Sequence, residues 1–553
     1  MSAGGLLRGL LRDQRRAVAA GAASGVVWMV ALAAVPLVIS RAVDDGVVGG
    51  DGGRLAIWLL VIAGVTAVQV VAGGARHWLA CRLYYGTTAE VSGRVTARVS
   101  DPCGGVDDRA GDLVSLVTSD APRVGAVADL CCRGTGAVVA IVGVAAVMVT
   151  ISPPLAAAVL AAIAVLVSMT VPLLRPLERR ATDEQRARAV VATATADLIS
   201  GHRVLHGLGA VAAARRRFAT VNDAVRTTAS ATAGVQAALE GLAVVLPGAL
   251  LAITVAVGSA LVADGSLTVG QLVGFLAYGQ FLLTPVATLV EVGDVWTRGV
   301  ASAARVVGVL HRPAPVGDDP AGAPLEPDPA SPAIAVVGAA SVDGSLACCT
   351  LAVDWGEVVA VAAPESRAAR ALAGLLAREH DPAAGAVLVG GVDVRTVPLA
   401  DLRRAVVVAH GDGLLLDETV RGNVAFGRRS ADPSLDDAAM ATAAVDEVVE
   451  RLPFGADTRV GERGRWLSGG QRQRVGLARA LAAEAPVLVL VDPTSAVDAH
   501  TERAVITRLV NARRSSQHAT LLITSSSAVL GAADRVVRID GSRAVAGTAV
   551  VPR

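Results

Sequence analysis

The stretch Leu467-Ser468-Gly469-Gly470-Gln471-Arg472-Gln473-Arg474 (LSGGQRQR) opens into the helix-forming run VGLARALAAEAP, and about a dozen residues later comes the apolar run VLVLV, Val487 to Val491, followed by DPTSAVDAHTE. Two adjacent glycines let backbone N–H groups come close to a phosphate. The Ser468 hydroxyl adds a donor, and the start of a helix favours an anion through its dipole. The pattern reads as a phosphate clamp at a helix N-terminus, next to a strand-like run, inside an α/β domain.

Working outward, further apolar runs (Val358 to Ala363, Ala405 to Ala409, Thr520 to Ile523) alternate with helical segments. This predicts a soluble α/β domain with a mainly parallel sheet over 333–553. Before it, HRPAPVGDDPAGAPLEPDPASP (His311 to Pro332) is too rich in Pro, Gly and Asp for helix or strand, which marks 311–332 as a linker.

Residues 1–310 are of another character. The chain of 553 residues is 53% hydrophobic and 18% charged, with mean hydropathy +0.55, too apolar for a soluble protein of that length. Stretches at about 17–40, 55–78, 132–151, 154–174, 239–263 and 266–290 are each long enough to cross a bilayer. Ser152-Pro153-Pro154 separates the third from the fourth, since a helix cannot run on through paired prolines. The reading is a membrane all-α domain of six transmembrane helices. Segments of roughly sixty residues between spans two and three, and four and five, extend those helices into the cytoplasm.

Arginines set the orientation. Arg8, Arg12, Arg15 and Arg16 precede the first span, and Arg175, Arg179, Arg180, Arg215, Arg216 and Arg217 lie between the fourth and fifth. Opposite loops such as Ala263-Asp264-Gly265 are short and arginine-poor, so both termini and the α/β domain are expected on the cytoplasmic side of the cell membrane. The first span is too long for a cleavable signal peptide, and further spans follow it. A net charge of +1 gives no global pull toward nucleic acid. The six cysteines (Cys81, Cys103, Cys131, Cys132, Cys348, Cys349) fall at or beyond the cytoplasmic face, where thiols stay reduced, and they lack metal-ligand spacing; neither disulfide nor metal is expected.

LSGGQ at this spacing from VLVLVDPTSAVD resembles the signature motif and the Walker B plus D-loop region of ATP-binding cassette (ABC) proteins. Val106 to Ser115, continuing to Asp120, is similar to the first intracellular loop of the exporter-type members, and Asp197 to Phe218 to the second. The last span, TVGQLVGFLAYGQFLLTP, is similar to their sixth. The resemblance covers nearly the whole chain. It implies a half-transporter: a membrane domain with cytoplasmic coupling helices, then a P-loop-type nucleotide-binding domain. It also implies that Ser468, Gly469, Gly470 and Gln471 close on ATP held by the opposite subunit, with Asp498 in the D-loop at the dimer interface.

Against that pattern, the residues that would serve this chain's own nucleotide are gone. A P-loop, GxxxxGK[ST], cradles phosphates with bare backbone, neutralises them with lysine and holds Mg²⁺ with Ser or Thr. Here Ala363, Ser366 and Ala368 replace its three glycines, Ala369 stands at the lysine and Arg370 at the Mg²⁺ ligand; Glu365 adds negative charge, and the chain has no lysine at all. Val491 takes the place of the Walker B aspartate and Asp492 that of the glutamate which activates water. Gly411 occupies the Q-loop glutamine position and Ser525 the switch histidine, and no aromatic residue lies between Pro313 and Asp354 to stack on adenine.

What serves a partner's nucleotide is kept, while what serves its own is lost. The expectation is one subunit of a heterodimeric ABC exporter, paired with a homologous half-transporter whose Walker A and B are intact, with ATP and Mg²⁺ held mainly by that partner. A catalytically inactive membrane regulator or scaffold, and a homodimer with atypical nucleotide use, are the alternatives. Polar side chains in the spans are few, among them Gln69, Gln271, Tyr278 and Gln280. They suit a small amphiphilic or neutral cargo or, equally, bonds between neighbouring helices.

Overall fold

The computed structural model describes residues 2–104, 106, 108, 110–363, 366–411, 414–540 and 543–545. It forms two compact units, Met1–Thr96 with Asp108–His311, and Ala97–Asp107 with Arg312–Arg553.

The first unit is helical throughout: α1 (Ala3–Asp13), α2 (Arg15–Arg41), α3 (Gly52–Val99), α4 (Ala110–Ser115), α5 (Ala121–Ile151), α6 (Pro153–Ser200), α7 (His202–Gly207), α8 (Val211–Ala263) and α9 (Val269–Leu310). Among the described residues, six helices are long and apolar enough to cross a membrane. The break at the paired prolines is a single extended residue, Ser152 (φ −152°), after which Pro153 opens α6; proline suits a first turn because its missing N–H has no partner there anyway. Helix α5 packs on α2 and α9, and α6 packs chiefly on α8. Met29, Val144, Met148, Leu155, Phe275 and Tyr278 lie in the shared core. Ile57, Leu60, Val71, Val142 and Val244 point outward, as lipid-facing side chains do.

At the end of the bundle formed by the α2–α3 and α8–α9 loops, the chain after α2 winds into a π-helical turn, Ala42–Val48. That turn presents two carboxylates. Asp44 accepts from the Thr268 hydroxyl at 2.6 Å and the Gly270 N–H at 2.7 Å, and Asp45 accepts from the Trp58 indole at 3.1 Å. Thr268 and Gln271 form a reciprocal capping box at the start of α9, so the Asp44 charge lies at the positive end of that helix. Gln271 is thus spent on the helix cap rather than placed among the mid-membrane side chains where the sequence had suggested it.

The second unit is built on two sheets, the larger covered on both faces. Its main sheet runs β10-β9-β3-β8-β7-β6, with β3 (Val358–Ala362), β6 (Val406–His410), β7 (Val487–Val491), β8 (Ala519–Thr524) and β9 (Arg535–Asp540) parallel and only β10 (Arg543–Val545) antiparallel. A second sheet, antiparallel, holds β1 (Ile334–Ala340), β2 (Cys349–Val353), β4 (Ala384–Val389) and β5 (Val392–Asp393) in the order β2-β1-β4-β5. The helices are α10 (Ser366–Leu376), α11 (Leu399–Ala405), α12 (Val420–Ala425), α13 (Ser434–Thr442), α14 (Asp446–Val449), α15 (Gly469–Ala482), α16 (Ala499–Ser515) and α17 (Ser527–Ala532). Every residue of β7 and β8 is buried, as parallel strands covered on both faces require. Of the cysteines, Cys132 and Cys349 are buried and Cys348 is exposed.

The linker lies strapped along this unit. Val316 is buried. The buried Arg378 donates to the Gly317, Val397 and Arg395 carbonyls and to Asp381, and Asp318 accepts from the Leu399 N–H at 2.9 Å. The segment 97–107 belongs to the same unit: Arg403 donates to the Pro102 carbonyl at 2.6 Å, and Cys103 packs against the core.

Candidate nucleotide site

Ser468 is the N-cap of α15, with extended backbone (ψ 165°), and its side chain accepts from the Gln471 N–H at 3.3 Å while Gln471 accepts from the Ser468 N–H at 2.8 Å. This capping box holds the first turn open at a defined angle. Among the described residues no hydrogen bond engages the N–H groups of Gly469 and Gly470, and the Ser468 beside them is exposed. Gly470 must be glycine for a further reason: a Cβ would stand 2.8 Å from the Ala496 carbonyl oxygen. Asp498 caps α16, accepting from the His500 N–H at 3.1 Å and the Thr501 N–H at 3.0 Å. Those bonds, chiefly that from Thr501, hold its carboxyl below the ordinary carboxylate value. The chain therefore brings the start of α15 and the DPTSAVD turn together on one side of the domain, through the Gly470–Ala496 contact.

The positions facing this chain's own loop are arranged differently. Ala363 is buried at the end of β3; Pro364 and Glu365 lie outside the described residues, and α10 begins at Ser366. Ala368 and Ala369 sit inside the hydrophobic core with Leu372 and Val491, while Arg367 and Arg370 are exposed. Asp492, after Val491, adopts the left-handed backbone region (φ 47°) and its N–H bonds the Ile523 carbonyl at 2.9 Å. Gly411 donates its N–H to the Val491 carbonyl at 2.8 Å; a Cβ there would collide with the Asp492 carbonyl oxygen and stand 2.6 Å from Gln473 Nε2. Asp412 and Gly413 are outside the described residues. Ser525 is exposed just past β8. With alanine methyls in the core at the lysine position, a valine at the Mg²⁺-orienting position and no room for a side chain at Gly411, these residues do not fit a Mg²⁺–nucleotide.

Sequence reading passed over Gln473. It is 3% exposed and donates to the Gly411 carbonyl (2.8 Å), the Asp492 carbonyl (2.8 Å) and Ser495 Oγ (3.0 Å), while its own oxygen accepts from the Ala496 N–H (2.8 Å). The signal was its spacing: Gln473, Leu477 and Ala480 fall at i, i+4 and i+7 on the buried face of α15.

A six-helix membrane bundle fused to an α/β domain with a capped LSGGQ helix start is the architecture of an ABC exporter. Residues 20–286 match the ABC transporter transmembrane region and residues 371–495 the ABC transporter family; the chain carries both regions in one polypeptide, with six helices long and apolar enough to cross a membrane among the described residues. The second match begins just after Arg370, beyond the altered loop. A multidrug efflux ATP-binding/permease protein of Mycobacterium tuberculosis is 31% identical over 97% of this chain and 45% of its own length. An ATP-dependent lipid A-core flippase of Thiobacillus denitrificans is 30% identical over 63% of this chain and 60% of its own. The chain thus spans about half to three fifths of these relatives. A bacterial Atm1-family ABC exporter with ATP bound shares the fold, with TM-score 0.76, 23% identity, and coverage of 96% of this chain and 94% of that one.

Proposed function

We propose that this chain is the nucleotide-clamping, non-hydrolysing subunit of a heterodimeric ABC exporter. The observation that carries this is the split within one domain. Ser468, Gly469 and Gly470 present a capped, open helix start, while Ala368, Ala369 and Val491 are committed to the hydrophobic core and position 411 has no room for a side chain. A partner with intact Walker A and B binds MgATP, and the start of α15 and the Asp498 turn close on it from the other side. Loss of catalytic residues by drift alone would not keep the first set ordered. A relative more than twice as long as its match to this chain has room for two such units in one polypeptide, which supports pairing.

Hydrolysis at that single composite site drives export of a small amphiphilic molecule, with both termini cytoplasmic; the named activities of the relatives, multidrug efflux and lipid A-core flipping, support that cargo class. The test is ATPase activity of this chain alone and reconstituted with a Walker-complete half-transporter. The expected result is no turnover alone and turnover in the pair that Ser468→Ala in this chain lowers at least a hundredfold. Robust turnover by this chain alone overturns the reading. So does an inert pair, which is what a scaffold would give.

A further inference from the structure

We propose that Gln473 is a positioning residue that fixes the start of α15 and the D-loop turn as one preset clamp for the partner's nucleotide; the proposal rests on the reading above. Its amide ties α15 to three segments at once: the end of β6 through the Gly411 carbonyl, the turn after β7 through the Asp492 carbonyl, and the D-loop turn through Ser495 Oγ and the Ala496 N–H. An amide has two donor hydrogens and one acceptor oxygen; here the two hydrogens serve three acceptors, one being shared, and the oxygen is taken by the Ala496 N–H. A buried amide so committed resists any rotation of α15, because turning the helix leaves two carbonyls and an N–H without partners.

The bond network also explains the glycine at 411. A side chain there would occupy the space of the Asp492 carbonyl and crowd Gln473 Nε2. The loss at 411 and the bonds from 473 are therefore one arrangement: a segment with no nucleotide of its own to answer is used to hold still the helix that serves the other subunit. Gln473 touches no nucleotide itself and acts through Ser468, Gly469, Gly470 and the 495–498 turn.

The experiment uses the reconstituted pair with wild type, Ser468→Ala, Gln473→Met and Gln473→Glu in this chain, measuring kcat and KM for ATP per assembled pair from pH 6 to 8. Gln473→Met keeps the volume and removes every bond; a roughly tenfold fall in kcat is expected, with KM within about threefold because the partner's loop holds the ATP. Gln473→Glu places a carboxylate against two carbonyls. Its activity relative to wild type at the same pH should rise at least threefold from pH 8 to 6, as the carboxyl gains a proton it can donate to one of them. A simple packing role would not follow that protonation. With Ser468→Ala abolishing turnover, a Met variant above half of wild-type kcat, or a flat Glu-to-wild-type ratio across the pH range, overturns the proposal. If Gln473→Met yields no assembled pair, the Glu profile decides. An inert effect of Ser468→Ala instead overturns the in-trans reading.

Discussion

Restoring the family's glutamine with Gly411→Gln should damage this domain rather than revive its own site. The new Cβ falls on the Asp492 carbonyl oxygen and within 2.6 Å of Gln473 Nε2, so either the turn after β7 or the Gln473 amide has to move. Moving the amide strands the Gly411 and Asp492 carbonyls and the Ala496 N–H. Buried polar groups left unmatched cost about 1–3 kcal/mol each. With Ser495 and Ala496 exposed enough to recover water, the net loss is about 2–4 kcal/mol. For a domain of this size that corresponds to a drop of roughly 4–16 °C in apparent Tm, read by intrinsic tryptophan fluorescence of the detergent-purified chain. Equilibrium binding of a fluorescent ATP analogue to the chain alone should stay absent. A Gly411→Gln variant with unchanged Tm that gains ATP binding would refute the reasoning, because it would mean that the space at 411 is open.

Other perturbations have defined outcomes. Arg378→Ala removes a buried cation with four acceptors and should cost about 3–5 kcal/mol, lowering the midpoint of urea unfolding followed by domain fluorescence; Arg378→Lys should recover only part. Asp44→Ala removes the acceptor at the start of α9, costing about 1 kcal/mol, so exchange of the Gly270 amide measured by mass spectrometry should speed up about fivefold, whereas Asp44→Asn, which keeps an acceptor, should speed it less. Because Asp498 titrates below its ordinary 3.8, the stabilisation from its cap is complete above that value and is lost as pH falls through the depressed one. Amide exchange at Thr501, corrected for its intrinsic pH dependence, should lose protection below about pH 4 in wild type and much less in Asp498→Asn.

Much of the architecture was legible because it depends on composition and period. Apolar stretches long enough for a bilayer, a proline pair that no helix crosses, and short β-branched runs between helices are all local signals. LSGGQ was equally legible, since a capping serine and two glycines fix their geometry within one turn. Several features were not. The linker reads as loose chain by its proline content, yet Arg378 pins it from sixty residues away. The Asp44 contact joins residues more than 220 positions apart, and neither partner alone is unusual. Gly411 read as the loss of a glutamine; that its bare backbone is what lets Gln473 reach Asp492 depends on the ends of two strands, a turn and a helix meeting, which no spacing encodes. Gln271 read as a membrane polar group because hydropathy does not register that a helix start lies three residues before it.

The Asp44 contact also bears on how the membrane unit can part. Helix α9 takes the charge at its first turn from the end of α2, and α5 lies against both, so these three helices travel as a raft. Helices α6 and α8 pack chiefly on each other and form a second. Separating α2 from α9 would strip the Thr268 hydroxyl and the Gly270 N–H of the Asp44 carboxylate, while parting the rafts breaks mostly apolar contact, which lipid can replace at little cost. The seam between the rafts is thus the part of this bundle that apolar packing alone holds, while the junction of α2 with α9 is fixed by a carboxylate.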